Sequence, residues 1–217
     1  MRNFWVVAPF AVFAALVAQK TGRAARCVIT KDDDMIMTGN RHPFENPWRV
    51  AFDENGVIQG VDVEIFSNGG AYADLSTSVM ERAMLLFDNA YYLPNARIRG
   101  QVCRTNIHPN TAFRGFGGPQ GMFVIESAIA KAADKIGIDR REIQEANLLE
   151  ENDEFSYGQI ATEVQAKKSW FKVKEKFEFE KLEQEVTNFN SQNDHYKKGI
   201  SLMPITFGIS FTNTPMN

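Results

Sequence analysis

Residues 104–121 read Arg-Thr-Asn-Ile-His-Pro-Asn-Thr-Ala-Phe-Arg-Gly-Phe-Gly-Gly-Pro-Gln-Gly. Four glycines fall within the seven positions 115–121. Glycine lacks a Cβ, so such a run lets a backbone pass very close to a neighbour or adopt left-handed conformations. Phe113, Arg114 and Phe116 stand beside or among these glycines. A plain turn does not require aromatic and cationic side chains there. A loop that offers backbone amides to a ligand, with an aromatic face alongside, does. A packed loop anchored by Phe113 and Phe116 fits the same residues, and on physical grounds alone both readings stand.

The flanks place this loop between a strand and a helix. A short strand fits Ile98 to Thr105. After Pro119, apolar residues recur at helical spacing through Met122, Ile125, Ile129, Ala132 and Ile136, and Gly137 supplies the stop. A second helix follows, with Asp139 as cap, Glu142 at the capping-box position, and Ile138 with Ile143 as a hydrophobic staple. Residues 27–66 read as β-structure, with a tight turn at Asn55-Gly56 and one wet face opposite Val61, Val63 and Ile65. Residues 67–81 read as loop leading into helix. Residues 150–198 are Glu/Lys-rich with scattered aromatics and read as helical segments with a solvated face. The apolar run Phe4–Ala18 reads as a buried helix ended near Lys20-Thr21-Gly22, with a secretory signal as the alternative. Pro9 and the shortness of the run argue against a membrane span. Residues 200–212 alternate like a strand, with Ile205, Phe207, Ile209 and Phe211 on one face.

Composition sets the outer bounds. The chain has 217 residues, 44% hydrophobic and 24% charged, with net charge −3. A compact fold of this size buries roughly 70% of its unfolded surface, so it needs no staple. No basic surplus marks a nucleic-acid binder. Two cysteines build neither a disulfide scaffold nor, alone, a zinc or four-cysteine iron–sulfur site. Gly115, Gly117 and Gly121 miss the dinucleotide fingerprint, because Gln120 stands where its third glycine belongs. Asp32-Asp33-Asp34 lacks the spacing of a calcium loop and reads as an exposed acidic turn. His42, His108 and His195 do not cluster in sequence with each other or with the cysteines. No Asn-x-Ser/Thr sequon occurs, which weighs toward a cytoplasmic chain.

Thr111 to Gly121 resembles the molybdenum-site loop of the xanthine dehydrogenase and aldehyde oxidase family. The resemblance extends through Thr38-Gly39-Asn40-Arg41-His42-Pro43-Phe44, Met80-Glu81-Arg82-Ala83, Asp88-Asn89-Ala90-Tyr91, Cys103-Arg104-Thr105-Asn106 and Phe207-Gly208-Ile209-Ser210-Phe211-Thr212. It covers most of the chain from about Lys20 to Thr212 and is weakest across 150–195.

In that family a molybdopterin-bound molybdenum hydroxylates an electron-poor carbon with oxygen from water. A glutamate acts as base, and electrons leave through iron–sulfur clusters to a flavin. The resemblance implies that the Arg114 amide faces the molybdenum, with Phe113 and Gly115 beside it in a cofactor-binding loop. It implies that Phe116 and Phe211 sandwich a planar substrate, that Thr212 touches it, and that Arg82 binds the oxygen side of a purine. Aromatic faces grip a flat heterocycle, and a fixed guanidinium stabilises charge developing on it. Arg82, together with Gly118 where aldehyde oxidases usually carry Phe, points to the xanthine branch. Read without the resemblance, Arg82 is a surface cation after Glu81. Asn213 stands where the family commonly has an apolar residue, so the pocket edge is expected to differ.

The family's Gly-Gly-Lys-Glu loop is expected just before Arg2, its molybdenum-site glutamine further upstream, and its catalytic glutamate well past Asn217; none is among these residues. The implied fold is α+β with mixed sheets and packed helices. Residues 1–149 are part of a first molybdopterin-binding domain and 150–217 the beginning of a second. The implied cofactor is molybdenum–molybdopterin, with iron–sulfur clusters and FAD in other parts of the parent enzyme. The implied partners are a purine-like substrate, the remaining domains or subunits and a homodimeric parent, without nucleic acid or membrane. Three readings remain open: a piece of a large hydroxylase, a short protein completed by other chains, or a non-catalytic remnant acting as an interaction protein.

Overall fold

The computed structural model describes residues 4–208, with side chains from residue 8 onward. Its centre is a small mixed sheet built on β3 (Ile58–Gly70), 13 residues long. On one edge β1 (Phe44–Glu45) and β2 (Trp48–Phe52) follow each other antiparallel to β3. On the other edge β4 (Ala96–Arg104) runs parallel to β3, pairing Ile98 with Val63. The parallel pair requires a crossover, and α3 (Ser76–Leu85) supplies it.

The β2–β3 connection is the expected tight turn. Gly56 adopts φ +79, and the Asp53 carboxylate accepts from the amides of Asn55 (2.9 Å) and Val57 (2.8 Å). Alternation along β3 sorts the two faces as expected. Val61, Val63 and Ile65 are buried and join Met80, Phe87, Ile125 and Ile129 in the core. On the wet face Asp62 receives Arg49 at 2.9 Å and also Arg97, whose hydrogen bond is the main reason its pKa falls to about 2.

The helix after the glycine run is α4 (Gly118–Ile136), stopped by Gly137 in the left-handed conformation, φ +81. Its partner α5 (Arg140–Ala146) is capped by Asp139, whose carboxylate accepts from the Arg141 amide at 2.8 Å. Two further helices, α6 (Ala166–Lys176) and α7 (Phe179–Gln192), are largely solvated. They are tied to α5 by buried Trp170, whose indole donates to Glu145 at 2.7 Å, and by an Arg141–Glu183 ion pair at 2.5 Å.

Four sequence expectations are corrected. Within 27–66 the stretch Lys31–Met37 is a helix, α2, because Thr30 accepts from the Asp33 amide and the acidic triplet suits a helix N-terminus. Asp32-Asp33-Asp34, expected as an exposed acidic turn, is the first turn of this helix, with Asp32 and Asp33 exposed. Residues 67–70 continue β3 rather than forming a loop. The Phe4–Thr21 helix, α1, forms around Pro9, but Val12, Phe13, Leu16 and Val17 are about half exposed, since nothing among the described residues covers them. The expected strand at 200–212 is absent over 200–208, where the chain has no regular secondary structure and pairs with no described strand, and 209–212 lie outside the described residues. Among the described residues no helix is long and apolar enough to cross a membrane.

The crossing of α3 and α4 depends on missing side chains. A Cβ at Gly121 would stand 2.2 Å from the Ala83 carbonyl oxygen, and one at Gly117 2.1 Å from that of Val79. Backbone cannot retreat as a flexible side-chain tip can. Gly121→Ala is therefore expected to destabilise the chain by roughly 1–3 kcal/mol, read as a lower denaturant midpoint. An unchanged midpoint would contradict this packing.

Candidate functional site

The loop begins where β3 and β4 end. Asn68 gathers this end of the sheet: its carboxamide oxygen accepts from the Gly70 amide (3.1 Å) and the Thr105 hydroxyl (2.7 Å), and its carbonyl accepts from Asn110 (2.8 Å). Gly39 lies so close to Thr111 that a Cβ would meet its side chain at 2.7 Å, and the Thr111 amide donates to the Asn40 carbonyl at 3.0 Å. His42 is buried and shares a 2.7 Å hydrogen bond with Ser76 at the start of α3. Burial lowers its pKa, with Asp74 pulling the other way. The pair braces the segment without solvent access.

Residues 113–118 make two successive turns. The Phe113 carbonyl accepts from the Phe116 amide at 2.8 Å, and the Gly115 carbonyl accepts from Gly118 at 3.0 Å. Gly115 (φ +93), Phe116 (φ +48) and Gly117 (φ +96) are all left-handed. For Phe116 that conformation is strained, of order 1–3 kcal/mol, and such strain concentrates at functional loops. The planarity of the peptide bond then decides where the amides point. Phe113 turns its carbonyl across the turn, so the Arg114 N–H in the same plane points outward. The Arg114 carbonyl is held at 2.6 Å by the Arg41 guanidinium, so the Gly115 N–H points away from Arg41. Among the described residues neither amide meets an acceptor.

Arg41 is a residue whose role sequence reasoning missed. Besides Arg114, it contacts the Gln120 carboxamide oxygen at 3.4 Å and stacks 4.4 Å over the Phe113 ring. It fixes both limbs of the loop. The signal for it was its place in the 38–44 segment.

Arg82 is not the surface cation of the simplest reading. It is 3% exposed, on the face of α3 against which the glycine loop packs. Burial lowers its pKa. Its guanidinium stacks 4.6 Å over Phe207 and reaches the Gly208 carbonyl at 3.5 Å. The structure thus brings Phe113, Arg114, Gly115 and Phe116 into one loop and sets Arg82 on the helix beneath it. Phe211 and Thr212 lie outside the described residues. An apolar groove of about 430 Å³ adjoins the loop, lined by Leu86, Gly115, Pro119, Met122, Ile205 and Phe207.

A second feature missed by sequence reasoning is a buried polar cluster. Glu126 accepts from Tyr91 (2.6 Å), Asn89 (3.1 Å), Gln144 (3.0 Å) and Arg140 (2.7 Å). Burial, followed by the nearby carboxylate, raises the Tyr91 pKa. The signal was legible: Glu126 stands four residues after Met122, on the apolar face of its helix. Among the described residues, no group of three or more His, Cys, Asp or Glu side chains could hold a metal ion directly.

A family model described as a molybdopterin cofactor-binding domain matches residues 5–148. The chain is similar to mouse xanthine dehydrogenase/oxidase, 41% identical over 203 residues, covering 94% of this chain and 15% of that protein. It is 38% identical over 209 residues to the nicotinate hydroxylase of Emericella nidulans, covering 94% of this chain and 15% of that protein. Its fold superposes on the aldehyde oxidoreductase of Desulfovibrio desulfuricans with a TM-score of 0.69 at 27% identity, over 81% of this chain and 19% of the other. The chain therefore spans about one seventh of the length of the curated relatives it matches.

Asp88, beside this cluster, yields a pH test. Burial pushes its pKa from an ordinary 3.8 up to about 7, against the hydrogen bond from Ser156 at 3.2 Å. The folded state therefore holds its proton longer than the unfolded one. The stability this contributes is present below about pH 4 and is lost as pH rises through about 7. Asp88→Asn removes the titration. Its denaturant midpoint is expected to vary less between pH 4 and 8, and to exceed that of the unaltered chain at pH 8 by on the order of 4 kcal/mol in stability. Parallel pH profiles for the two proteins would contradict the burial of this carboxyl.

Proposed function

The chain belongs to the molybdopterin cofactor-binding domains of molybdenum hydroxylases of the xanthine dehydrogenase and aldehyde oxidase type, and from that membership we propose that it supplies one wall of a purine-hydroxylating site. The observation that carries this reading is that the amides of Arg114 and Gly115 meet no acceptor among the described residues, in the loop that packs on the helix carrying buried Arg82.

These donors fit the expected group. Neighbouring backbone amides with no acceptor among the described residues suit an anionic or oxo-bearing ligand, and Gly115 keeps the approach clear of a Cβ. Phe113, Arg114 and Gly115 would hold the molybdenum–pterin group by this route, with Arg41 keeping the loop rigid. That group, when bound, supplies the two-electron oxidation of an electron-poor ring carbon. The chain's own residues bind and orient. Phe116 and Phe211 grip the flat ring, Thr212 offers it a hydroxyl, and the Arg82 guanidinium meets a ring oxygen and stabilises negative charge there. The base that removes a proton comes from another part of the enzyme, as do the iron–sulfur and flavin centres. On this reading residues 1–149 belong to a first molybdopterin-binding domain and 150–217 open a second, within a homodimeric cytoplasmic enzyme.

The test uses the enzyme that contains this chain, loaded with its cofactor. It is expected to hold molybdenum and to oxidise hypoxanthine or xanthine. Arg82→Gln is expected to lower kcat/KM for these purines roughly a hundredfold, the cost of one charged contact made in the transition state, while molybdenum content and turnover of an uncharged aromatic aldehyde change far less. Equal losses on both substrates, or none on the purine, would remove Arg82 from purine recognition.

A further inference from the structure

We infer that Asp88 is a proton-held latch: its buried carboxyl fastens the tip of the hairpin at residues 152–161, one wall of a second cavity, and the fastening weakens when the proton leaves.

The hairpin is small and leans on the rest of the fold. The Asn152 amide donates to the Ala161 carbonyl at 3.0 Å, Ala161 to Asp153 at 2.8 Å, and Phe155 to Gln159 at 2.8 Å. Its tip is a four-residue turn, closed by the Gly158 amide on the Phe155 carbonyl at 2.8 Å, with Gly158 at φ +89. A two-stranded ribbon of this size is marginal without outside contacts. Its base has them: the Leu149 amide donates to the Ala90 carbonyl at 2.9 Å, and Ala161 is buried. Among the described residues, the tip at 154–158 hydrogen-bonds to the rest of the fold through Asp88. The Ser156 hydroxyl donates to its carboxyl at 3.2 Å, and the Ser156 backbone adds a bond to the same group.

Asp88 is 2% exposed, while Ser156, bonded to it, is exposed. The carboxyl is thus one side chain away from water. An ionised carboxyl so placed is costly unless a cation answers it. Among the described residues none does: Arg140 is held by Glu126, and Lys167 by Glu150. The nearby acids are engaged elsewhere or exposed. Asp153 accepts from the Glu150 amide at 2.7 Å, Glu151 accepts from the amides of Glu163 (3.0 Å) and Val164 (2.9 Å), and Glu154 is exposed. Beyond the turn that carries Asp88, Tyr91 commits its hydroxyl to Glu126. Tyr157 on the hairpin is raised in pKa by burial and then by the Asp88 charge.

Burial is the main cause that lifts the Asp88 pKa to about 7. Opening the tip hydrates the carboxyl and returns it toward its ordinary 3.8, so the closed state holds the proton more tightly than the open one. Closure is firmest below about pH 4, and opening grows easier as pH rises to about 7. Phe155 and Ala161 line a cavity of about 400 Å³ together with Leu149, Trp170, Leu202 and Thr206. Phe155 also stacks on Tyr157, ring centroids 5.2 Å apart, so wall and tip are one unit. A tip that opens more readily exposes this cavity.

The measurement is amide hydrogen exchange on the full chain, taken as protection factors so that the intrinsic pH dependence of exchange drops out. Between pH 5 and pH 8 the amides of Phe155, Gly158 and Ala161 are expected to lose at least roughly tenfold in protection. Ile125 and Ile129 in α4 are expected to stay at least roughly tenfold better protected than the tip at pH 8. Asp88→Asn, equal in size and without the titrating proton, is expected to flatten the pH dependence. Ser156→Ala changes only an exposed hydroxyl and serves if Asp88→Asn does not fold; it is expected to lower tip protection several-fold at pH 5. Tip protection that does not change with pH in the unaltered chain would overturn the latch. So would an equal pH dependence in Asp88→Asn, or unchanged tip protection in Ser156→Ala. Tip and α4 amides exchanging alike at pH 8 would overturn it too, because the proton would then govern unfolding of the whole chain. None of these readouts uses turnover, so a failure of the proposed function leaves them standing.

Discussion

Backbone lies on backbone where the glycine loop crosses α3, and the other features of the site follow from that contact. At Gly117 and Gly121 the distance to the carbonyls of Val79 and Ala83 leaves no room for a Cβ. Such an approach removes every degree of freedom that side chains would have granted. It sets the height of the loop above α3, and so the position of its outward amides over buried Arg82. It also forces the chain through three consecutive left-handed residues, one of them Phe116, at a cost in strain that the surrounding contacts must offset. Arg41 does part of this, gripping one carbonyl, one amide side chain and one ring with a single planar group.

A second constraint is the buried carboxylate of Glu126. An ionised carboxyl away from water is costly unless every lone pair is used. Four donors use them here. The cluster therefore behaves as a unit: Tyr91, Asn89, Gln144 and Arg140 hold one another's orientation through the shared acceptor. Because Asn89 and Gln144 each have a second bond to make, the cluster exports its rigidity to residues 202–206. One side of the candidate pocket rests on glycine packing, the other on a polar node.

Much of the local architecture was legible in residue order. The 3.6 period from Met122 to Ile136 with Gly137 behind it gave α4, Asp139 gave the start of α5, and the alternation of Val61, Val63 and Ile65 gave a one-sided strand. The misses share one cause: a local pattern was read without its partner. Lys31–Met37 had weak periodicity, and its cap at Thr30 decided for helix. Residues 202–208 alternate as a strand does, but a strand is a ladder, and among the described residues their rungs come from side chains distant in sequence. The apolar face of α1 has no cover among the described residues, so its burial could not follow from its composition.

The sequence by itself determined the family, through eleven residues from Thr111 to Gly121 and the shorter matching segments, because close backbone approach admits few substitutes for glycine. It also singled out the 111–121 loop, which the structure shows to pack against α3. Only the tertiary structure decided that Arg82 is buried rather than a surface charge, that Arg41 braces the loop, and that Asn89, Glu126 and residues 202–208 form one connected device. Those facts depend on hydrogen bonds between residues 35 to 126 positions apart. Such bonds have directions fixed by the fold and leave no periodic mark on the chain.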